Sequence, residues 1–198
     1  MACNGKVQTS KDSLRVSKKI ELYKRQKHRL EVRECEVLYN DNSFFLGDNL
    51  KKVMNILGKP DHKEGIAYIW KNINIEILTD PKNFTIKSIY VYVAEGVNNH
   101  NTHKKIIIPD NRYFLLYGNP INRKTVFADA IKPTKYILEE FEKGRLSYII
   151  TFNDCKGITK HHFSSIVPYN YNGESHIRIK GSFLGQNTNP INIINIHN

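Results

Sequence analysis

Asp154, Cys155 and the pair His161-His162 bring together the residue types that nucleophilic catalysis uses. A thiol attacks, an imidazole takes its proton and a carboxylate orients the ring. Their spacing matches no established pattern, and trios of this kind arise by chance. His100-Asn101-Thr102-His103 has an HxxH spacing. A metal centre needs a third and fourth converging ligand, and the sequence names none. GxGxxG, GxxxxGK and HExxH are all missing, which removes the common nucleotide and zinc-protease chemistries. The expectation is a chain that is not an enzyme and takes no cofactor or metal.

Cysteine usage adds one alternative. Cys3, Cys35 and Cys155 cannot all pair, and none forms a CxxC. Two unlinked thiols at Cys35 and Cys155 are expected, with a Cys35–Cys155 disulfide as the alternative in an oxidising compartment. Ala2-Cys3-Asn4 ahead of a lysine-rich stretch has the look of a lipoprotein processing junction, without the apolar segment that would precede it. On that alternative Cys3 carries a lipid and the chain is periplasmic. As the sequence is given, the default compartment is cytoplasmic.

The aromatic residues offer binding rather than chemistry. Tyr90 and Tyr92 share one face of a strand whose other face holds Ile89, Val91 and Val93. A helix over the aliphatic face would leave these tyrosines on an open sheet beside Tyr68 and Trp70. Such rings bury large area at low entropic cost and so anchor interfaces. A second unit packed over them is an equal alternative. Arg178 and Lys180 on a later strand would add cations for an acidic partner. Aromatics with cations also suit a single-stranded nucleic acid, but no K/R-G-F/Y sequence of the kind RNA-binding sheets use is present.

The elements that must position these residues are legible from periodicity. Leu50, Val53, Met54 and Leu57 fall at helical spacing, with Asp48 as expected cap and Gly58 and Pro60 as terminators. Around them, residues 44–93 form the organising stretch: one helix, then strands in IAYIW, INIEIL and TIKSIYVYV. Asp80-Pro81-Lys82-Asn83 turns the chain between the last two strands. Upstream, Val16, Ile20 and Tyr23 give a narrow helical stripe in a basic background, and residues 30–39 read as one strand. After the Asn/His-rich connector a similar order returns: an apolar run at 114–117, a helix from Thr125 to Ile131, and strands in LSYIITFN, ITKHHFSSIVPY and SHIRIKGSF. The expected fold is α+β: a basic arm over 1–28, two units over 29–97 and 106–185, and a tail over 186–198. Each unit is an antiparallel sheet with a helix packed on one face.

With 198 residues, 40% of them hydrophobic and 25% charged, the chain can bury a substantial core. The net charge of +11 is uneven. Residues 1–33 hold ten Lys/Arg against three Asp/Glu, or +7, and the remainder holds twenty against sixteen, or +4. A basic arm of this kind meets nucleic acid, an anionic membrane or an acidic protein.

The run Gly47, Val53, Leu57-Gly58-Lys59-Pro60, Tyr68-Ile69-Trp70 resembles the signature of small outer-membrane lipoproteins of the SmpA/OmlA (BamE-like) type. The long C-terminal half departs from that family. The paired helix-and-sheet layout is similar to that of β-lactamase inhibitor proteins. LLYGNPINRKTVFADAI resembles domains found beside secreted antibacterial toxins. These resemblances imply a binding scaffold. The leading expectation is an immunity-type protein that blocks a cognate toxin with an acidic cleft, in type VI or contact-dependent competition. An envelope lipoprotein with a scaffolding role, held through Cys3 or the arm, is the second, and nucleic-acid binding through the arm is the third.

Overall fold

The computed structural model describes residues 5–96, 106–130, 137–142, 145–152, 155, 159–166, 177–179, 191 and 193–197. A long helix, α1 (Gly5–Lys24), leads into β1 (Leu30–Val32), β2 (Val37–Tyr39) and β3 (Asn42–Phe44). Helix α2 (Leu50–Leu57) precedes a meander of β4 (His62–Glu64), β5 (Ala67–Trp70), β6 (Ile75–Thr79) and β7 (Ile86–Tyr92). A short antiparallel pair, β8 (Glu95–Gly96) with β9 (Ile106–Ile107), flanks the connector. Then come β10 (Phe114–Leu116), β11 (Asn119–Ile121), α3 (Phe127–Ala130), β12 (Ile137–Glu142), β13 (Arg145–Phe152), β14 (Thr159–Ile166), β15 (Ile177–Ile179) and β16 (Ile193–His197).

Two large sheets carry the fold. Five strands form the smaller, in the order β11-β10-β1-β2-β3, and nine form the larger, β15-β12-β13-β14-β16-β7-β6-β5-β4. Strand β1 lies parallel to β10 in the smaller sheet, while all eight pairings of the larger are antiparallel. Strand β16 occupies the middle of the larger sheet, pairing Ile194 with Phe163 of β14 on one side and Val91 of β7 on the other. Alternation explains its fit: Ile194 and Ile196 point to the core, and Ile193, Asn195 and His197 lie on the opposite face. Part of the segment expected as a tail, residues 193–197, is thus a central strand.

This arrangement corrects the α+β expectation. The chain is mostly β, and the layer over the isoleucine face is a second sheet rather than a helix. Leu30, Val32, Val37, Phe44, Phe114 and Leu116 of the small sheet share one continuous core with Ile75, Ile77, Ile89, Val91, Phe163, Ile194 and Ile196 of the large one. Helix α2 joins that core through Leu50, Val53 and Leu57, but an eight-residue helix cannot cover a nine-stranded sheet. In the second half, the described helix α3 has four residues. Each sheet also draws strands from both halves of the chain, so the two expected helix-on-sheet units are replaced by a shared pair of sheets.

Local details follow the same logic. Residues 30–39 divide into β1 and β2, because Arg33 N–H closes a turn onto the Glu36 carbonyl at 2.9 Å. Asn49, not Asp48, caps α2 by accepting from Lys51 N–H at 2.9 Å. Asp48 is engaged instead by Phe45 N–H and the Lys52 ammonium. At the other end Gly58 adopts φ +83° and ψ −173°, a region essentially reserved for glycine.

Candidate functional site

Tyr68 and Trp70 were expected on an open face, and the fold corrects this. They pair with Ile77 and Ile75 on the core side of the large sheet and are 6% and 2% exposed. The Trp70 indole N–H donates to the Gly58 carbonyl at 2.9 Å, which satisfies its polar edge inside the core. Tyr90 and Tyr92 do lie on the opposite face, half-buried. The Tyr92 hydroxyl donates to Glu76 Oε2 at 2.7 Å. Burial, reinforced by the Glu76 charge, pushes the Tyr90 phenol above its ordinary range, and a hydrogen bond with Asn195 opposes that rise.

Arg178 sits on β15, opposite Glu140 of β12 at the far edge of the sheet. Five strand spacings of about 4.8 Å separate it from Tyr90, so the fold does not assemble it with the tyrosines. Lys180, Cys3, His100, His103 and Asp154 lie outside the described residues.

The Cys155 thiol is not a free nucleophile. It is bonded to Cys35 with a Cα–Cα distance of 5.3 Å, which overturns the expectation of unlinked thiols. Cys35 is exposed in the turn between β1 and β2, and Cys155 is half-buried beyond β13. The bridge therefore ties the small sheet to the large one.

Beside the bridge lies a cluster that the sequence did not announce. His161 is fully buried, and its Nδ1 is 2.7 Å from the Tyr117 hydroxyl. Tyr117 and Gly118 form the two-residue turn between β10 and β11, with φ of +49° and +77°. Positive φ at both positions is what a type I′ hairpin requires, and it sets the phenol against His161. The two rings stack at 5.7 Å, and Phe152 meets His161 edge-on at 4.8 Å.

Burial lowers the imidazole from its ordinary 6.5 to about 3, against a smaller opposing pull from the Glu34 carbonyl. Burial also raises the Tyr117 phenol well above its usual range. Both groups are neutral across physiological pH. The Tyr117 hydroxyl and His161 Nδ1 share one hydrogen bond, and His161 Nε2 is buried without a partner of its own. A base poised near pH 7 would need an environment that raises the imidazole rather than lowers it. Next to this pair, Glu31, Arg33, Glu34, Cys35, Glu36, Tyr117 and Gly118 line a shallow depression of about 400 Å³. Arg33 bridges Glu31 and Glu36 there at 2.9 and 3.2 Å.

Helix α1 carries six Lys/Arg against Asp12 and Glu21. Its base is anchored where Tyr23 is buried and Gln26 exchanges two hydrogen bonds with the Tyr113 main chain, at 2.7 and 2.9 Å. Farther up, Arg15, Lys18 and Lys19 are exposed, and so are Leu14, Val16 and Leu22, while Lys24, at the base, pairs with Glu21 at 3.5 Å. Leu14 is 74% exposed.

The family model described as a domain of unknown function, DUF7738, matches residues 29–167. The chain belongs to the DUF7738 family. Its matched segment begins at β1 and ends just past β14, so it takes in the disulfide, the His161–Tyr117 pair and the β4–β7 meander. Helix α1 and the stitching strand β16 fall outside the DUF7738 match. No curated protein and no solved structure matches the chain.

Proposed function

We propose that this DUF7738 protein is an immunity-type binding protein that neutralises an acidic protein partner, a cognate toxin, by occupying its surface. The observation that carries the reading is α1. A helix that exposes Leu14, Val16 and Leu22 among Arg15, Lys18 and Lys19 pairs a desolvation gain with positive charge, the combination that acidic apolar surfaces accept. The engagement of Cys155 in a disulfide supports a binding role, because it removes the one thiol with histidines near it in sequence. Charge on the arm speeds encounter, and apolar contact then slows release.

A second reading concerns the compartment. The Cys35–Cys155 bridge favours an oxidising environment, such as a periplasm, over a reducing cytosol. It therefore lends weight to an envelope-located protein, scaffolding included, and takes weight from nucleic-acid binding. The test is co-expression with the product of the adjacent gene. Protection of cells and a purified complex, both weakened by a combined R15E, K18E and K19E variant, are expected. A complex indifferent to that variant and to salt removes the role given to α1. Failure of the intact chain to protect or to form a complex removes the immunity reading altogether.

A further inference from the structure

One end of the large sheet gathers two turns and the start of a helix. The turn before β5 contains Gly65 and Ile66, and the Ile66 carbonyl accepts from Thr79 N–H at 3.1 Å. The turn between β6 and β7 runs from Asp80 to Thr85, and within it the Phe84 carbonyl accepts from Leu50 N–H of α2 at 2.9 Å. Asn49 Nδ2 donates to the Asn83 carbonyl, closing the helix start onto the same turn. Outside α1, Ile66 and Phe84 are the exposed large hydrophobic residues among those described, at 45% and 46%.

Phe84 is out of place twice over. Its φ of +56° puts a bulky side chain in the left-handed region, where glycine or asparagine would sit with less strain. The bonds that hold it there are main-chain ones: its N–H to the Asp80 carbonyl at 3.0 Å and its carbonyl to Leu50. Asn83 fixes the neighbouring Thr85 through its N–H and hydroxyl. Any residue but proline has the groups for the two Phe84 bonds, and the ring takes no part in the core. The ring adds nothing to the core from this strained position, and sites of this kind cluster where a protein meets something else.

The rim selects the partner. Lys51 and Lys82 are exposed, and Lys87 is 57% exposed opposite Asp80 at 3.8 Å. Lys63 lies over the Tyr68 ring at 5.3 Å, while Asp48 is taken up by Lys52. Glu64 is exposed beside Ile66, so Lys51, Lys52, Lys63, Lys82 and Lys87 stand against Asp48, Glu64 and Asp80, a net +2, and an apolar pair within a rim of net positive charge fits an acidic protein surface with an apolar recess. A second copy of this chain, itself at +11, would be repelled.

We infer that Ile66 and Phe84 are the anchor through which the chain grips its acidic protein partner, with α1 serving to steer the encounter. This rests on the immunity reading above. The probe is the product of the adjacent gene, purified and titrated against the full chain. Phe84→Gly relaxes the left-handed strain, so it is expected to raise the melting temperature by about 2 °C or more while weakening the complex at least ~10-fold. Ile66→Ser should weaken binding independently of backbone strain. An intact complex with wild type that neither substitution changes overturns the anchor and leaves the immunity reading standing. Absence of any complex with wild type removes both. Binding of wild type to phosphatidylglycerol vesicles, lost in Phe84→Gly while the protein complex is unaffected, overturns the anchor in favour of a membrane contact.

Discussion

Lowering the pH should weaken the fold by a predictable amount through one side chain. His161 is fully buried, and burial takes its imidazole from 6.5 down to about 3. In the unfolded chain the same ring accepts a proton near pH 6.5, so between these values the unfolded state binds more protons. Stability from this group is complete above about pH 6.5 and is lost as the pH falls towards 3. One unit of separation corresponds to ~1.4 kcal/mol, so passing from pH 7 to pH 5 should remove about 2 kcal/mol on this account. Carboxylates titrate over part of the same range, and a control isolates the histidine. In His161→Gln the amide can still hydrogen-bond to the Tyr117 hydroxyl but has nothing to titrate. Urea unfolding followed through Trp70, the single tryptophan, at pH 7, 6 and 5 measures both proteins with the disulfide intact. Wild type should lose about 2 kcal/mol more than the variant across that interval. Parallel losses in the two proteins would refute the assignment of a neutral buried imidazole.

Two further outcomes follow from the topology. The Cys35–Cys155 bridge closes a separation of 120 residues, for which chain entropy alone suggests about 4 to 5 kcal/mol, so reduction should lower the urea midpoint sharply. A shift of less than ~1 kcal/mol would mean that the sheets hold together without it. Ending the chain after residue 190 removes β16 and leaves β7 and β14 with unpaired edges. Loss of a cooperative thermal transition by circular dichroism is expected, and a truncated chain melting within a few degrees of wild type would refute the central placement.

Much of the fold was legible where one period dominates. The alternation of Ile75, Ile77, Ile89 and Val91 gave the meander, and the spacing of Leu50, Val53 and Leu57 gave α2. What covers a sheet is not written in its own strands. The aliphatic face of β6 and β7 looks the same whether a helix or another sheet packs on it, and this is why the α+β expectation failed. Short strands such as β1, β2 and β10, each of three residues, are too brief to show a period. Trp70 and Tyr68 misled because large aromatics serve interfaces and cores alike. The His161 cluster was half-visible: Thr159, His161 and Phe163 alternate against Lys160 and His162, which puts His161 inward. Its partner Tyr117 arrives from 44 residues away, and no local pattern reports that. The left-handed Phe84 carries no sequence signal, since the turn chemistry around it would suit a smaller residue.

The order of synthesis bears on how such a sheet can be completed. Strand β16 is made after every other described strand, yet it is the one that the others close around. Until it emerges, a growing chain presents two open strand margins, at β7 and β14, each ready to hydrogen-bond to whatever extended peptide lies nearby. Assembly of the large sheet must therefore wait for translation to pass residue 197. Pairing across such sequence distances is slow and exposes the chain to aggregation. A holding chaperone that covers the β7 and β14 margins until β16 arrives would suit a protein built in this order.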